Sequence, residues 1–522
     1  MKKTVVAIFL FAVCFSGNSN ILRNASFEEK VRYWESLPKS EFTPKQKEGI
    51  DASNCLELKK GCVYQTLYHS YLYPDMETGP YGRFYSFSFM AKGKGKLEFK
   101  VAEFSKDEKG KYKYNDVTLK TAELSDKWQK FEITGQAKDP RCVYHRVLWQ
   151  TSGDGYALID GADFHYFQSP DCKMGIEPQC AVAAKGNEIP LEVSFHKKSI
   201  PCPEENIDII VFDSLKEFGG EIKTLSGKTD KQGIFKQTLK IPENFSSDGM
   251  RVTMSIPNSG ITKNVFIPVF PEEEIKETNE AASKIKLGKP LFILYLGDSL
   301  SDYFRGRNYA SMTNYFLNKY NTDKASFKNA AAGGDYITRV WERIEGMKQG
   351  KKPVWRQYMY ENLLTPKPDI IFIFLGQNDT RTFSGTNYSI PLVTPDIQYS
   401  TYKKLISFLR KNTDARIVLI SSVSIYFPTQ LKIAEESKKK GVANCIFGQK
   451  EHLESFNSTL KKIAEEEKLD YIDAYSATQN YPDKKSLFIS DGLHLSEKGN
   501  FLITKIIINY MNKEFKQKEN HE

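Results

Sequence analysis

The C-terminal half of the chain carries four short blocks whose residue types are those of a nucleophilic active site. They supply a serine, a histidine with an aspartate three positions before it, and an asparagine and several glycines in turns. A serine hydroxyl with a neighbouring base, next to amide donors for a developing oxyanion, can attack an ester carbonyl. In chain order the blocks are Gly297-Asp298-Ser299, Gly333-Gly334-Asp335, Gly376-Gln377-Asn378-Asp379 and Asp491-Gly492-Leu493-His494.

Ser299 is the candidate nucleophile because it follows the apolar run 291–296, which predicts a buried strand. At the carboxyl end of such a strand a hydroxyl is exposed at the edge of the sheet, but it needs a base in order to attack. His494 is the candidate base, and Asp491 is close enough in sequence to accept its Nδ1 proton and fix the tautomer. His452, another histidine of this region, lies in a lysine- and glutamate-rich helical stretch and is interpreted as a surface residue.

The developing oxyanion needs hydrogen-bond donors at fixed positions, and the blocks contain three candidates. They are the backbone N–H of Ser299, the backbone N–H of Gly334 in its turn, and the side-chain amide of Asn378. The two other charged residues, Asp298 and Asp379, are interpreted as loop organisers that accept backbone N–H bonds. Each turn alone is a common connection between a strand and a helix, so the assignment depends on the presence of all four blocks together.

The elements predicted to hold these blocks alternate between strand and helix from residue 290 onward. The strand candidates are apolar runs without alternation, which indicates burial on both faces and hence a mainly parallel sheet covered by helices. The predicted strands are 291–296, 369–375, 416–421 and 469–472, and the predicted helices are 309–320, 335–348, 397–411, 448–467 and 496–513.

Together the four blocks resemble the signature blocks of the SGNH (GDSL-type) hydrolases, in a domain predicted at residues 290–522. The resemblance implies a flavodoxin-like α/β/α domain and a serine ester hydrolase that uses neither a metal nor an organic cofactor. It assigns a catalytic triad and an oxyanion hole to this chain: Ser299, Asp491 and His494 for the first, and Ser299, Gly334 and Asn378 for the second.

Residues 20–170 show short alternating apolar runs separated by turns, which predicts a two-sheet β-sandwich or jelly roll. The opening 24–28 and the ending 156–164 resemble the first and last strands of carbohydrate-binding jelly-roll modules. Aromatic faces can stack on sugar rings, but for any single residue filling of the sandwich core is the favoured interpretation. The candidates in this module are Trp34, Trp128 and Trp149.

Two carboxylates of this module, Glu28 and Asp160, stand where related modules hold a structural calcium ion. Residues 171–270 contain four more strand-like runs and predict a small immunoglobulin-like sandwich with a spacer or docking role. Residues 271–289 are rich in Lys and Glu and predict a polar linker or a short exposed helix.

The charge of the chain does not indicate a nucleic-acid partner. The 74 basic and 65 acidic residues leave a net charge of +9 and are mixed along the sequence, which is typical of a solvated surface. Residues 1–19 combine two lysines, a short apolar run and small or polar residues, as in a secretory signal. We therefore expect a secreted, periplasmic or cell-surface protein without a membrane span.

Seven cysteines follow this signal, and export would permit disulfides between them. Local pairs are possible between Cys55 and Cys62, or between Cys172 and Cys180. The odd count leaves at least one free thiol.

These observations predict a secreted serine esterase that removes short acyl groups, acetyl in particular, from a carbohydrate. The expected partner is an acylated carbohydrate or another ester. Arg381 and the insertion 351–368 are candidates for the substrate-binding rim, with surface packing as an equal alternative. Two other interpretations stay open: a lipid esterase or acyltransferase with the same triad, and a non-catalytic glycan-binding protein of the cell surface.

Overall fold

The chain forms two regions of antiparallel sheet followed by a domain in which helices cover a parallel sheet. A computed structural model describes residues 22, 24–68, 83–106, 111–138, 142–213, 215, 221–348 and 357–519. The predicted secretory signal at residues 1–19 lies outside these ranges. Within them, no helix is long and apolar enough to cross a membrane.

The first region is built on two long strands that each run through two layers. Its strands are β1 Glu35–Ser36, β2 Glu41–Lys45, β3 Cys55–Tyr68, β4 Phe84–Lys106, β5 Tyr112–Leu124, β6 Gln129–Gln136, β7 Cys142–Thr151 and β8 Tyr156–Phe167. The first part of β3 pairs with β2 and β8, and its second part pairs with β7. The first part of β4 likewise pairs with β6 and β8, and its second part with β5 and β7. The two layers therefore share strands and enclose one apolar core.

Two of the three candidate tryptophans lie inside this core. Trp34 and Trp149 stack on each other with ring centroids 4.7 Å apart, and their exposed fractions are 6% and 0%. The prediction that they stack on sugar rings is therefore wrong, because inward-facing side chains of packed sheets fill the core between them. Trp128 is partly exposed, and the Lys92 amino group lies 4.9 Å from its ring centroid. Its role as a sugar contact stays a prediction.

The carboxylates predicted to hold calcium are hydrogen-bonded to protein groups. Oδ2 of Asp160 accepts hydrogen bonds from the Ile50 amide at 2.9 Å and the Ser53 hydroxyl at 2.6 Å. Glu28 accepts from the backbone amide and the side-chain amide of Asn54, at 3.2 and 3.1 Å. Both carboxylates therefore hold the turn at residues 50–54, and calcium binding by them stays a prediction.

The second region consists of two four-stranded antiparallel sheets around one apolar core. Its strands are β9 Cys172–Glu177, β10 Glu188–Lys197, β11 Ile200–Pro201, β12 Asn206–Phe212, β13 Glu221–Lys228, β14 Ile234–Lys240, β15 Gly249–Ile256 and β16 Ile261–Pro268. One sheet contains β9, β10, β11 and β14, and the other has the order β13-β12-β15-β16. The four predicted strand-like runs correspond to β10, β12, β14 and β15.

The segment predicted as a polar linker belongs to the core of the C-terminal domain. Helix α1, Glu272–Ser283, buries Ile275 and Ala282, and Ile285 just after it is buried in the same cluster. The linker interpretation is wrong because the few apolar residues share one face of the helix, although most residues of the segment are polar.

The C-terminal domain is a parallel sheet with helices on both faces. The sheet strands are β17 Leu291–Gly297, β18 Ala325–Asn329, β19 Ile370–Phe374, β21 Arg416–Ile420 and β23 Asp470–Ile472, and a separate pair is formed by β20 Thr382–Phe383 and β22 Cys445–Ile446. The helices are α2 Ser299–Asp302, α3 Tyr309–Tyr320, α4 Ile337–Lys348, α5 Pro395–Asn412, α6 Phe427–Lys439, α7 Lys450–Glu467, α8 Ala474–Gln479 and α9 Glu497–Glu519. The sheet order β18-β17-β19-β21-β23 is that of flavodoxin-like sheets.

Successive side chains of the central strands enter opposite helix layers. In β17, Ile293 and Tyr295 pack with α1, α3 and α9, whereas Leu294 and Leu296 pack with α4, α5 and α7. The prediction of a parallel sheet buried on both faces is confirmed.

Several elements of this domain were not predicted, and two of them, strand β18 and helix α6, contain few buried residues. Strand β18 lies at the edge of the sheet, and Ala325 is its one fully buried residue. Helix α6 buries only Gln430 and Ala434. Tertiary contacts rather than local hydrophobic periodicity therefore specify both elements.

All seven cysteines after the signal lie in the described ranges, and none of them forms a disulfide there. Cys55 and Cys62 both lie on β3, where an extended strand separates them by roughly 23 Å at about 3.3 Å per residue. Neither of the local disulfide pairs considered from the sequence is formed.

Truncating Ile285 tests the assignment of the former linker to the core. Ile285→Ala removes a fully buried side chain and is expected to lower the free energy of unfolding by about 2–5 kcal/mol. Lys286→Ala, at the neighbouring exposed position, is the control and should change it by less than about 0.5 kcal/mol. Thermal and urea unfolding measure both free energies. Equal stability of the two variants would contradict the core assignment and support a linker at residues 271–289.

Candidate active site

Ser299 follows the strand at which the order of the sheet reverses. Strand β17 pairs with β18 on one side and with β19 on the other. Its last residue, Gly297, lies opposite Phe374 of β19, and its carbonyl accepts a 3.2 Å hydrogen bond from the amide of Ala332 beyond β18. The loops after all three strands therefore meet over one crevice, which is where α/β sheets bind their ligands.

The serine, histidine and aspartate predicted from the sequence form one hydrogen-bonded chain. The Ser299 hydroxyl lies 2.9 Å from Nε2 of His494, and Nδ1 of His494 lies 2.6 Å from Oδ2 of Asp491. The other Asp491 oxygen accepts the backbone amides of Leu493 and His494 at 2.8 and 3.0 Å. Burial acts to raise the pKa of Asp491, but these hydrogen bonds outweigh it and hold the pKa below its usual value. Asp491 is thus set up to stay ionised beside the imidazole.

The loop that carries Asp491 and His494 is held by the unpredicted helix α6. Gln430 is buried in this helix and donates a hydrogen bond to the carbonyl of Asp491 at 2.9 Å. The amide of Tyr426 donates to the carbonyl of Gly492 at the same distance. Gly492 has a φ of +71°, and a Cβ there would lie 2.7 Å from the Tyr426 carbonyl oxygen, so glycine is required.

The second block lies directly against the serine. The amide of Gly333 donates to Oδ2 of Asp302 at 2.8 Å, and a Cβ on Gly333 would lie 3.9 Å from Cβ of Ser299. Gly334 has a φ of +82°, a left-handed conformation that favours glycine. Arg305 holds Asp302 through a 2.9 Å hydrogen bond and also donates to two backbone carbonyls of the adjacent loop. Arg305 was not identified from the sequence, because its neighbouring residues do not indicate partners 24 and 26 positions away.

The third block is packed into the crevice from the other side. Gly376 has a φ of +130°, and a Cβ there would lie 2.6 Å from Cβ of Ser422. Gln377 donates to the hydroxyl of the same serine at 3.0 Å. The side-chain amide of Asn378 then reaches Oδ2 of Asp298 at 3.4 Å, immediately beside the serine position. The structure thus brings together the residues of all four blocks.

Two buried carboxylates organise the loops, as predicted. Asp298 accepts the amide of Leu300, and Asp379 accepts the amide of Ile337, each at 2.9 Å. Burial raises the pKa of Asp298 to about 8 and that of Asp379 to about 7, in spite of these hydrogen bonds.

Two further side chains, Arg381 and Tyr303, adjoin the blocks in sequence. The guanidinium carbon of Arg381 lies 5.7 and 5.5 Å from the ring centroids of Tyr336 and Phe383. Its contact with substrate stays a prediction. Residues 351–356 of the predicted rim lie outside the described ranges, and Tyr360 of the same insertion is fully buried in the apolar core, so it is not a rim residue. Tyr303 was not predicted, yet its ring stacks on His494 with centroids 4.1 Å apart.

Comparison with known families identifies this domain. Residues 295–501 match the GDSL-like Lipase/Acylhydrolase family, a range that contains all four blocks. The C-terminal domain is a GDSL-like lipase/acylhydrolase domain. The resemblance found in the sequence is thereby confirmed, and the GDSL-like domain is a serine ester hydrolase.

Several solved structures are similar to the chain at low identity. A lipase/acylhydrolase from Enterococcus faecalis is 16% identical with a TM-score of 0.32, over 43% of this chain and 96% of that one. A family two carbohydrate esterase from Clostridium thermocellum is 13% identical with a TM-score of 0.29, over 92% and 99%. A family 16 carbohydrate-binding module is 13% identical with a TM-score of 0.22, over 28% and 99%. No curated protein compared with the chain matches it.

The raised pKa of Asp298 makes the stability of the GDSL-like domain depend on pH. In the unfolded chain this carboxyl ionises near 3.8, whereas in the folded domain it keeps its proton up to about 8. Its contribution to stability is therefore fully present below about pH 4 and is lost as the pH rises to about 8. Asp298→Asn cannot ionise, so its melting temperature relative to the wild type should rise between pH 5 and pH 9.

The measurement is thermal unfolding across that pH range. Asp414→Asn, at an exposed position, is the matched control and should follow the wild type. A parallel decline of the wild type and Asp298→Asn would contradict the assignment.

Proposed function

We propose that this protein is a secreted esterase that removes acetyl groups from an acylated carbohydrate. The observation that carries the proposal is the hydrogen-bonded chain from the Ser299 hydroxyl through His494 to Asp491. Secretion is supported by the signal-like residues 1–19, and a carbohydrate substrate by the resemblance of residues 20–170 to carbohydrate-binding modules.

In the first half of the proposed reaction, Ser299 Oγ bonds to the ester carbonyl carbon while His494 Nε2 takes the hydroxyl proton. Asp491 keeps the imidazole in the required orientation and stabilises its protonated form. The amides of Ser299, Gly334 and Asn378 donate to the oxyanion. The tetrahedral intermediate then collapses, and the departing sugar oxygen takes the proton from His494.

In the second half a water molecule attacks the acetyl-serine. His494 takes a proton from the water, and acetate leaves as Ser299 regains its proton. One ester and one water thus yield one alcohol and one carboxylic acid. A small acyl group is favoured because Ser299 is only 7% exposed and the backbone of Gly333 lies against it.

Hydrolysis of 4-nitrophenyl esters tests the proposal. The wild type should hydrolyse the acetate faster than the octanoate, and Ser299→Ala should lower kcat/KM by at least about 10³-fold because the nucleophile is lost. Ser326→Ala, at an exposed position on β18, is the matched control and should keep full activity. Labelling by a fluorophosphonate probe should require Ser299 in the same way.

Two outcomes would replace the proposal. A preference for octanoate would favour a lipid esterase with the same triad. Absence of both turnover and probe labelling would favour a non-catalytic glycan-binding protein.

A further inference from the structure

Tyr303 is an aromatic side chain in direct contact with the imidazole of the triad. Its ring and that of His494 are nearly parallel, with an angle of 24° and centroids 4.1 Å apart. Tyr303 is 45% exposed, whereas the His494 side chain that it packs against is 14% exposed. Part of the ring therefore covers the histidine and part of it faces solvent.

The backbone around Tyr303 is held at several points, so the position of the ring is predetermined. The amide of Tyr303 donates to the Ser299 carbonyl at 2.9 Å, and its own carbonyl accepts the side-chain amide of Asn308 at 3.2 Å. The next ring, Phe304, stands at 89° to it and lies under the guanidinium of Arg307. Phe304 thus packs with Arg307, whereas the Tyr303 ring packs against His494 of the triad.

The path of the leaving group follows from the position of Nε2. When the ester breaks, the departing oxygen takes its proton from His494 Nε2 and must lie about 3 Å from it. The Tyr303 ring lies against the same imidazole, with ring centroids 4.1 Å apart, and is therefore close to the group attached to that oxygen. Ser299 is 7% exposed and Tyr303 is 45% exposed, so Tyr303 offers a solvent-accessible surface close to the nucleophile's partner His494.

We infer that Tyr303 forms the leaving-group subsite of the esterase and takes a saccharide ring on its exposed surface. This inference rests on the proposed function and names the residue that gives it carbohydrate specificity. The C–H face of a pyranose packs well against an aromatic ring, and a ring already fixed in place loses little entropy when it binds. Its covered face meanwhile restricts the imidazole, so Tyr303 is also a positioning residue for His494.

The test compares an ester of a sugar with an ester that lacks a ring. Substrates are a mono-acetylated methyl pyranoside and ethyl acetate, followed by acid release at constant pH. Tyr303→Leu should raise KM for the pyranoside about tenfold and leave KM for ethyl acetate unchanged. It should also lower kcat for both substrates several-fold, because the imidazole loses its support.

Tyr303→Phe keeps the ring and should restore both parameters to within about twofold of the wild type. Tyr156→Leu removes an exposed tyrosine of the first region and serves as the matched control, with no expected effect. Circular dichroism of each variant establishes that it is folded.

The failure of the inference and the failure of the proposed function give different results. If the wild type hydrolyses the pyranoside and Tyr303→Leu leaves its KM unchanged, or raises KM for both substrates equally, the subsite is wrong and the esterase stands. If the wild type hydrolyses ethyl acetate but no acetylated sugar, the carbohydrate function and the subsite are both overturned.

Discussion

The register of β17 with its two neighbours is the constraint on which the rest of the active site depends. Because β18 and β19 flank this strand in parallel, three loops emerge at the same edge of the sheet. A shift by one residue would turn the last side chains of β17 towards the opposite helix layer and move Ser299 away from the other blocks. The apolar cores on both faces oppose such a shift, since Ile293 and Leu294 are fully buried in different layers.

Buried polar groups next to Ser299 fix the positions of the loops that this register brings together. Asp298 and Asp379 are fully buried and have raised pKa values, which shows that their ionised forms are disfavoured there. They order the loops around Ser299, because each of them accepts a hydrogen bond from a loop amide. Asp302 and Arg305 act in the same way on the Gly333 loop. Loops that are ordered in this way hold the candidate oxyanion donors in place before charge develops on a substrate.

The second region, residues 171–270, also contributes to this arrangement, although its sequence contains no candidate catalytic residue. Arg307 is buried, donates a hydrogen bond to the carbonyl of Leu215 in that region, and pairs with Glu497 at 3.2 Å. Glu497 opens α9 three residues after His494, and Arg307 ends the loop that holds Tyr303. The second region is thus linked to the loop of Tyr303 and to the loop of His494. A segment that only separated the other two domains would not make these contacts.

The sequence by itself determined the class of the C-terminal domain and brought out its triad. Both follow from local patterns: buried parallel strands are apolar throughout, and His494 stands three residues from Asp491. Only the tertiary structure decided that Trp34 and Trp149 face inward and that α1 is part of a core. It alone revealed Gln430, Arg305 and Tyr303, whose partners include residues up to 191 positions distant in the chain. Hydrophobic periodicity reports which face of an element is buried, but a polar contact between distant segments exists only once the sheet has assembled.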